Sequence, residues 1–286
     1  NRLNRSRARG AIMTVEVGIE RTDVDAVFVD LDNTLVKGSA LFHVGRGLVA
    51  SGVINPSDMA RLVAGHALYR LLGEHPRRVE SAQRRGLAMA AGLPEEHILG
   101  ALDRLYDEYV APRLWPGTVR LLEAHRAANT PVWLATAAPI RLASLIAERL
   151  GLSGALGTRV ESSGGVFTGR MDGPPLHGLA KARAVVDLAA EHGWSLARCV
   201  AYSDSTADLP LLTAVGHPAV INPEHALKCM AVDHHWPVYD FRARRWTARV
   251  GGQARIARPP EGLEADRPAG TPRLRASVSS LAVVSR

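Results

Sequence analysis

The sequence predicts a doubly wound α/β fold: a Rossmann-like parallel sheet with helices on both faces, an inserted helical cap and a small β-hairpin. Three observations predict it. Four short, uninterrupted apolar runs recur along the chain, Ala26–Val29, Val132–Ala135, Cys199–Tyr202 and Pro218–Ile221, as strands buried on both faces of a parallel sheet require. Helix-type stretches, Thr118–Ala128 and Ala180–His192, precede the second and third runs, which is the alternation that builds βαβ units. Between the first two runs the chain is much longer than a right-handed crossover needs, so something folded is inserted there.

In chain order, residues 1–20 read as a basic tail, and 21–38 together with 112–241 as the core domain. The insertion at 39–111 shows helical spacing in Met59, Leu62, Val63 and Leu68, and again in Ile98, Leu102, Leu105 and Tyr106. Breaks at Asn55-Pro56, His75-Pro76 and Gly92-Leu93-Pro94 divide it into helices of a cap. The segment Arg159–Gly169 carries Ser162-Ser163-Gly164-Gly165 between two β-prone stretches, the turn chemistry of a hairpin that should lie near the cap. Residues 242–286 are rich in Arg, Pro, Gly and Ser with weak periodicity, and read as an irregular basic tail.

Of the 286 residues, 47% are hydrophobic and 22% charged, the balance of a globular chain with a substantial core. The net charge of +7 resides in the ends: four arginines in residues 1–10, and ten arginines against Glu261, Glu264 and Asp266 in residues 241–286. A nucleic-acid reader would carry its basic stripe on the folded unit, so no nucleic-acid partner is expected. Contact of the tails with an anionic membrane stays open, and no run of 18 uncharged apolar residues suggests a spanning helix. Cys199 and Cys229 form neither a CxxC pair nor a His/Cys cluster, which points away from zinc and disulfides and towards a cytoplasmic setting. The oligomeric state is not legible.

The candidate chemistry gathers where the apolar runs end. Asp30 and Asp32, in Asp30-Leu31-Asp32-Asn33-Thr34, follow the first run and share one side if the extended geometry persists. Ligands of open α/β sheets bind at the carboxyl ends of the strands. Read alone, the same residues also suit an Asx turn. Thr136 closes the second run, where it serves equally as a cap for the turn that follows. Lys181, one of three lysines beside 32 arginines, begins a helix, where an exposed lysine is the ordinary occupant. Tyr202-Ser203-Asp204-Ser205-Thr206-Ala207-Asp208 closes the third run.

Together, in order and spacing from about Ala26 to Pro223, these residues resemble the four-part signature of the haloacid dehalogenase superfamily: DxDxT, a hydroxyl residue, a lysine and a DxxxD pair. The long insertion after the first motif resembles subfamily IB, the branch that includes phosphoserine phosphatase. The resemblance implies a magnesium-dependent phosphatase acting on a small phosphorylated metabolite. Asp30 would be the nucleophile that forms an aspartyl-phosphate, and Asp32 the general acid and base. Thr136, the backbone around Ala137 and Lys181 would hold the phosphoryl group. Asp30, the main-chain carbonyl of Asp32 and Asp204 would bind Mg2+, with Asp208 ordering the shell around it.

Phosphoserine phosphatases carry a glutamate a few residues after DxDxT to hold the substrate amine. Ser39 stands at that position here, in Val36-Lys37-Gly38-Ser39-Ala40, and a serine supplies no matching charge. Ser39 is therefore a candidate specificity residue. Three alternatives remain beside a phosphatase for another small ester: a phosphoserine phosphatase, a phosphotransferase using the same site, and a binding or regulatory protein of the same fold that contacts anionic lipid or nucleic acid through its tails.

Overall fold

The structure, a computed structural model, describes residues 24–55, 57, 91–242, 246–250 and 253–257. The expected N-terminal tail, the cap positions Met59 to Leu68 and the break at His75-Pro76 lie outside these residues.

Strand β1 (Ala26–Val29) is an interior strand, third from one edge of the eight-stranded sheet. It is paired in parallel with β2 (Val132–Pro139) on one side and β6 (Cys199–Ser203) on the other, Val27 facing both Val132 and Val200. Beyond β2 lies β3 (Gly154–Thr158), and beyond β6 lie β7 (His217–Ile221) and β8 (Val238–Asp240), all parallel. Side chains of β1 alternate between two cores, Val27 and Val29 in one and Ala26 and Phe28 in the other. Because every β1 residue is buried on one face or the other, the strand has no polar position, hence its continuous apolar sequence.

Helices α1 (Ala40–Ala50) and α2 (Glu95–Leu105) belong to the insertion, and a five-residue π-helical turn, Tyr106–Val110, follows α2. Helix α3 (Pro116–Ala127) leads to β2 with proline in its first turn, where the missing N–H has no cost. Helix α4 (Ile140–Arg149) starts directly at the end of β2. Helix α5 (Leu179–His192) ends on Gly193 in the left-handed conformation, and α6 (Leu209–Leu212) and α7 (His225–Asp233) complete the layers. Where the chain leaves and rejoins the core, Val36 bridges Leu114, Lys37 N–H donates to the Arg113 carbonyl and Trp115 N–H to that of Leu35. The hairpin of β4 (Val160–Ser163) and β5 (Val166–Met171) lies against the start of α2. There Gly92 N–H donates to the Phe167 carbonyl and Glu95 N–H to that of Gly165.

Three features differ from the sequence reading. The tail from 242 onward is not wholly irregular, because β9 (Trp246–Val250) and β10 (Gln253–Ala257) form an antiparallel pair that extends the sheet beyond β8. Their arginine content hid short β-prone stretches flanking Gly251-Gly252, a two-residue hairpin signal. Strands β3 and β8 were not expected: Gly154-Ala155-Leu156-Gly157-Thr158 has little β propensity and exists as a strand through its pairing with β2. Thr136 sits inside β2, which runs on to Pro139, rather than closing it. Among the described residues no helix is long and apolar enough to cross a membrane.

Gly157 fixes how closely β3 approaches the β2–α4 junction. A Cβ there would lie 2.8 Å from Ile140 Cα and 2.9 Å from the Ala138 carbonyl oxygen, both backbone atoms that cannot swing away. Gly157→Ala should destabilise the protein by about 1–3 kcal/mol, read as a lower urea midpoint. An unchanged midpoint would show that this junction is looser than its geometry.

Candidate active site

The site forms at the carboxyl end of β1. Strand order reverses there, since β2 and β3 lie to one side and β6, β7 and β8 to the other, and crevices at such points are where open α/β sheets bind ligands. Asp30 N–H still donates to the Tyr202 carbonyl at 2.9 Å, so the carboxylate leaves the sheet from a backbone held by the neighbouring strand. The chain then turns: Leu35 N–H and Val36 N–H both donate to the Leu31 carbonyl. Asn33 takes φ 59°, a conformation asparagine tolerates better than most residues, and its Oδ1 accepts from Gly38 N–H at 3.1 Å. This turn delivers Asp32, half-buried, to the start of α1, where its Oδ1 accepts the Ala40 N–H at 2.9 Å.

Lys181 is 3% exposed, and its ammonium donates to Asp30 Oδ1 and Asp208 Oδ2, each at 2.8 Å. Ser203, the last residue of β6, donates to the same Asp208 oxygen at 2.7 Å. Asp208 Oδ1 is buried without a hydrogen-bond partner among the described residues. Asp204 accepts from the Thr34 hydroxyl at 3.2 Å, and Thr34 is fixed in turn by Thr118, whose hydroxyl donates to the Thr34 carbonyl at 2.7 Å. On β2, the buried Thr136 hydroxyl accepts from Ala138 N–H at 3.1 Å, and the Ala137 carbonyl accepts from the Thr158 hydroxyl at 2.7 Å. Lys181 thus ties Asp30 to Asp208, and hydrogen bonds anchor the other expected residues on the loops that follow β1 and β6 and on the last residues of β2. Ser39 is the N-cap of α1, its hydroxyl accepting from Phe42 N–H at 3.5 Å.

The electrostatics follow from one cation among several buried acids. Burial pushes the Asp30 carboxyl up to about 7, against the pull of Lys181 and with a further push from Asp208. Burial likewise pushes Asp204 up to about 8, with Asp30 adding repulsion and the Thr34 hydrogen bond opposing it. Burial works against the charge on Lys181, but Asp208 and Asp30 outweigh it and hold the ammonium protonated well above the ordinary lysine range. Lys181 raised and Asp30 raised are compatible, because one ammonium cannot neutralise both of its partners and Asp204 as well.

A magnesium ion suits this donor set. Asp30, buried, and Asp204, half-buried, are oxygen donors carrying more negative charge than Lys181 balances, and Asp208 Oδ1 is a buried acceptor able to receive a metal-bound water. Among the described residues no three His, Cys, Asp or Glu side chains converge into a closed cage. Magnesium does not require one, since it takes one or two carboxylates and fills its other positions with water and phosphate oxygens.

Several contributors were not read from the sequence. Glu224 accepts from both the N–H and the hydroxyl of Thr206, and its own N–H donates to the Asp204 carbonyl at 2.9 Å, so it fastens the loop that carries Asp204. Asn222 donates to the Asn33 carbonyl at 3.4 Å and accepts from Phe241 N–H at 2.7 Å. The available signal was position: Asn222-Pro223-Glu224 follows β7, at the same end of the sheet. His177, just before α5, is held below the usual histidine range by burial and by Lys181.

A family model described as haloacid dehalogenase-like hydrolase matches residues 27–213. A putative hydrolase of Mycobacterium leprae is 44% identical over 233 residues, covering 81% of this chain and 78% of that protein. The phosphoserine phosphatase SerB1 of Mycobacterium tuberculosis is 43% identical over 233 residues, covering 81% and 76%. A crystal structure of a protein of unknown function from Bordetella pertussis Tohama I superposes with a TM-score of 0.69 at 26% identity, covering 77% of this chain and all of that one.

The raised carboxyls make stability depend on pH and metal. Asp30 and Asp204 hold protons more tightly when folded than an exposed aspartate does. Their contribution to stability is therefore full below about pH 4 and is lost as pH rises through about 7 and 8. In chelator, Tm should fall between pH 6 and pH 8.5, and Asp204→Asn should flatten that fall. Magnesium at about a hundred times its Kd should raise Tm by roughly 5–10 °C, more at pH 8.5 than at pH 6. A Tm indifferent to magnesium at both pH values would remove the metal from this site.

Proposed function

The chain belongs to the haloacid dehalogenase-like hydrolase family, and on that premise we propose that it is a magnesium-dependent phosphatase of small phosphomonoesters that works through an aspartyl-phosphate. The observation that carries this reading is the buried Lys181 held between Asp30 and Asp208 at the carboxyl end of β1. That position lies one turn of chain from Asp32.

Each residue's part follows from its surroundings. Lys181 occupies Asp30 Oδ1, leaving Oδ2 as the attacking oxygen. An Asp30–phosphorus bond forms as the bond from phosphorus to the ester oxygen breaks, and Asp32, as general acid, gives its proton to the departing oxygen. Water then attacks the phosphorus, Asp32 takes its proton, and the Asp30–phosphorus bond breaks to release phosphate. Asp32 is half-buried rather than enclosed, as suits a group that exchanges a proton in each half-reaction. The Thr136 hydroxyl, accepting from Ala138 N–H, keeps its own proton for a phosphoryl oxygen, and Lys181 supplies fixed positive charge to the same group. Asp30 and Asp204 are the side chains that would hold magnesium, with the Asp32 carbonyl beside them and Asp208 ordering the water shell. When bound, the ion would offset repulsion between an anionic nucleophile and an anionic ester.

Asp30→Asn keeps the shape and removes the nucleophile. Turnover of an aryl phosphate should fall by at least about a thousandfold with an unchanged circular dichroism spectrum, and activity lost to chelator should return with magnesium. A folded Asp30→Asn protein that retains activity would overturn the mechanism.

A second reading, phosphoserine as the substrate, draws on the 43% identical relative named a phosphoserine phosphatase. Against it stands Ser39, whose hydroxyl is engaged in capping α1 and offers no charge to an ammonium. A substrate ammonium without a partner in a closed site loses about 1–3 kcal/mol, roughly tenfold or more in binding. Comparison of kcat/KM for phosphoserine and for uncharged phosphomonoesters decides between them. A tenfold preference for phosphoserine in the wild type would restore the second reading.

A further inference from the structure

Between the insertion and the core lies a cavity of about 280 Å3 that the catalytic residues do not line. One wall is α1, through Leu41, Val44 and Leu48; another is α2, through Ile98, Leu99 and Leu102. The remaining walls are the start of α4 at Pro139 and Ile140, and the hairpin at Val160 and Phe167.

Three of these walls begin next to the phosphoryl chemistry. Leu41 follows Ala40, whose N–H is bonded to Asp32 Oδ1. Pro139 follows Ala138, whose N–H is bonded to Thr136 Oγ1. Arg159, on the hairpin side, follows Thr158, whose hydroxyl is bonded to the Ala137 carbonyl. The cavity is thus framed by residues that follow, in the chain, the hydrogen-bond partners of Asp32, Thr136 and Ala137.

Its lining is also one-sided chemically. Among the described residues its charged members are Glu95, Arg141, Arg159 and Asp172, and they pair with one another, Arg141 with Glu95 at 3.6 Å and Arg159 with Asp172 at 2.9 Å. Among the described residues, then, each lining charge already has a partner of opposite sign. Leu41, Ile98, Leu99 and Ile140 remain only partly buried, so apolar surface is left uncovered where an organic group could cover it.

Resting on the phosphomonoesterase reading, we infer that this cavity receives the leaving group, and that the preferred substrates are phosphate monoesters of an apolar alcohol or phenol rather than of a charged metabolite. Asp32 then protonates an oxygen whose carbon substituent extends from the α1 N-terminus between α1, α2 and Ile140. The volume of about 280 Å3 corresponds to roughly nine groups of about 30 Å3 each, enough for a six- to eight-carbon chain or a substituted ring.

The test is a series of n-alkyl phosphates, ethyl, butyl, hexyl and octyl, assayed with magnesium for kcat/KM beside phosphoserine. Transfer of each methylene into an apolar cavity should raise kcat/KM by about threefold, so hexyl phosphate should exceed ethyl phosphate by on the order of tenfold to a hundredfold. Leu99→Gln should lower the hexyl-to-ethyl ratio by about tenfold. Leu99→Trp, which fills the space without adding polarity, should shift the optimum to shorter chains and remains informative if the glutamine variant fails to fold. Calorimetry with hexylphosphonate, which cannot be hydrolysed at an ester bond, should show tighter binding than ethylphosphonate in the wild type. A flat chain-length profile with ethyl phosphate readily hydrolysed overturns the cavity inference and leaves the phosphatase reading standing. Failure to hydrolyse any ester in the series overturns the phosphatase reading itself. A steep profile indifferent to both Leu99 variants places the leaving group elsewhere and also overturns the inference.

Discussion

The site depends on one constraint, that an ammonium buried to 3% exposure must be shared between two carboxylates, Asp30 and Asp208. Removing a charged group from water costs several kcal/mol, and the cost is tolerable only where partners and hydrogen bonds are already in place. The sheet supplies that placement. Asp30 comes from the carboxyl end of β1, Asp208 from the loop after its neighbour β6, and Lys181 from the first turn of α5. Ser203 completes the arrangement by donating to the oxygen that Lys181 also holds. The remaining negative charge on Asp30 and Asp204 would suit a divalent cation.

A second consequence concerns how the insertion is joined to the chemistry. Asp32 is bonded to the first N–H of α1, so this carboxylate and the insertion share a helix terminus, where a carboxylate is favoured by the unpaired backbone N–H groups. The opposite side is fastened by Arg149, which reaches from α4 to Asp103 and Asp107 at 2.7 and 3.3 Å. Each of these exposed pairs contributes little alone. Together with the backbone bonds from the hairpin to Gly92 and Glu95, they set α2 over the cavity. Gly47 sets the spacing of the other wall, since a Cβ there would come within 2.3 Å of Leu105. The apolar walls, from the insertion, the start of α4 and the hairpin, thereby stand apart from the polar groups at the strand ends.

What the sequence by itself determined was everything that depends on local pattern. The four apolar runs that became β1, β2, β6 and β7 were legible because a strand buried on both faces admits no polar residue. The hairpin at Gly164-Gly165 was legible because its turn needs glycine, and the acids were legible because they stand where those runs end. Tertiary structure alone decided what depends on pairing across distance. Strand β3, with two glycines in five residues, and β8, only three residues long, are strands because β2 and β7 pair with them. Trp246–Val250 escaped notice because Arg249 and the arginines just before it masked a β-prone stretch that β8 completes. Lys181 taken alone reads as an ordinary helix lysine and was legible only as part of the four-part signature, while Ser203, Asn222 and Glu224 carry no motif of their own. Their partners lie up to 189 residues away in the chain, and only the folded sheet brings such groups within hydrogen-bond distance.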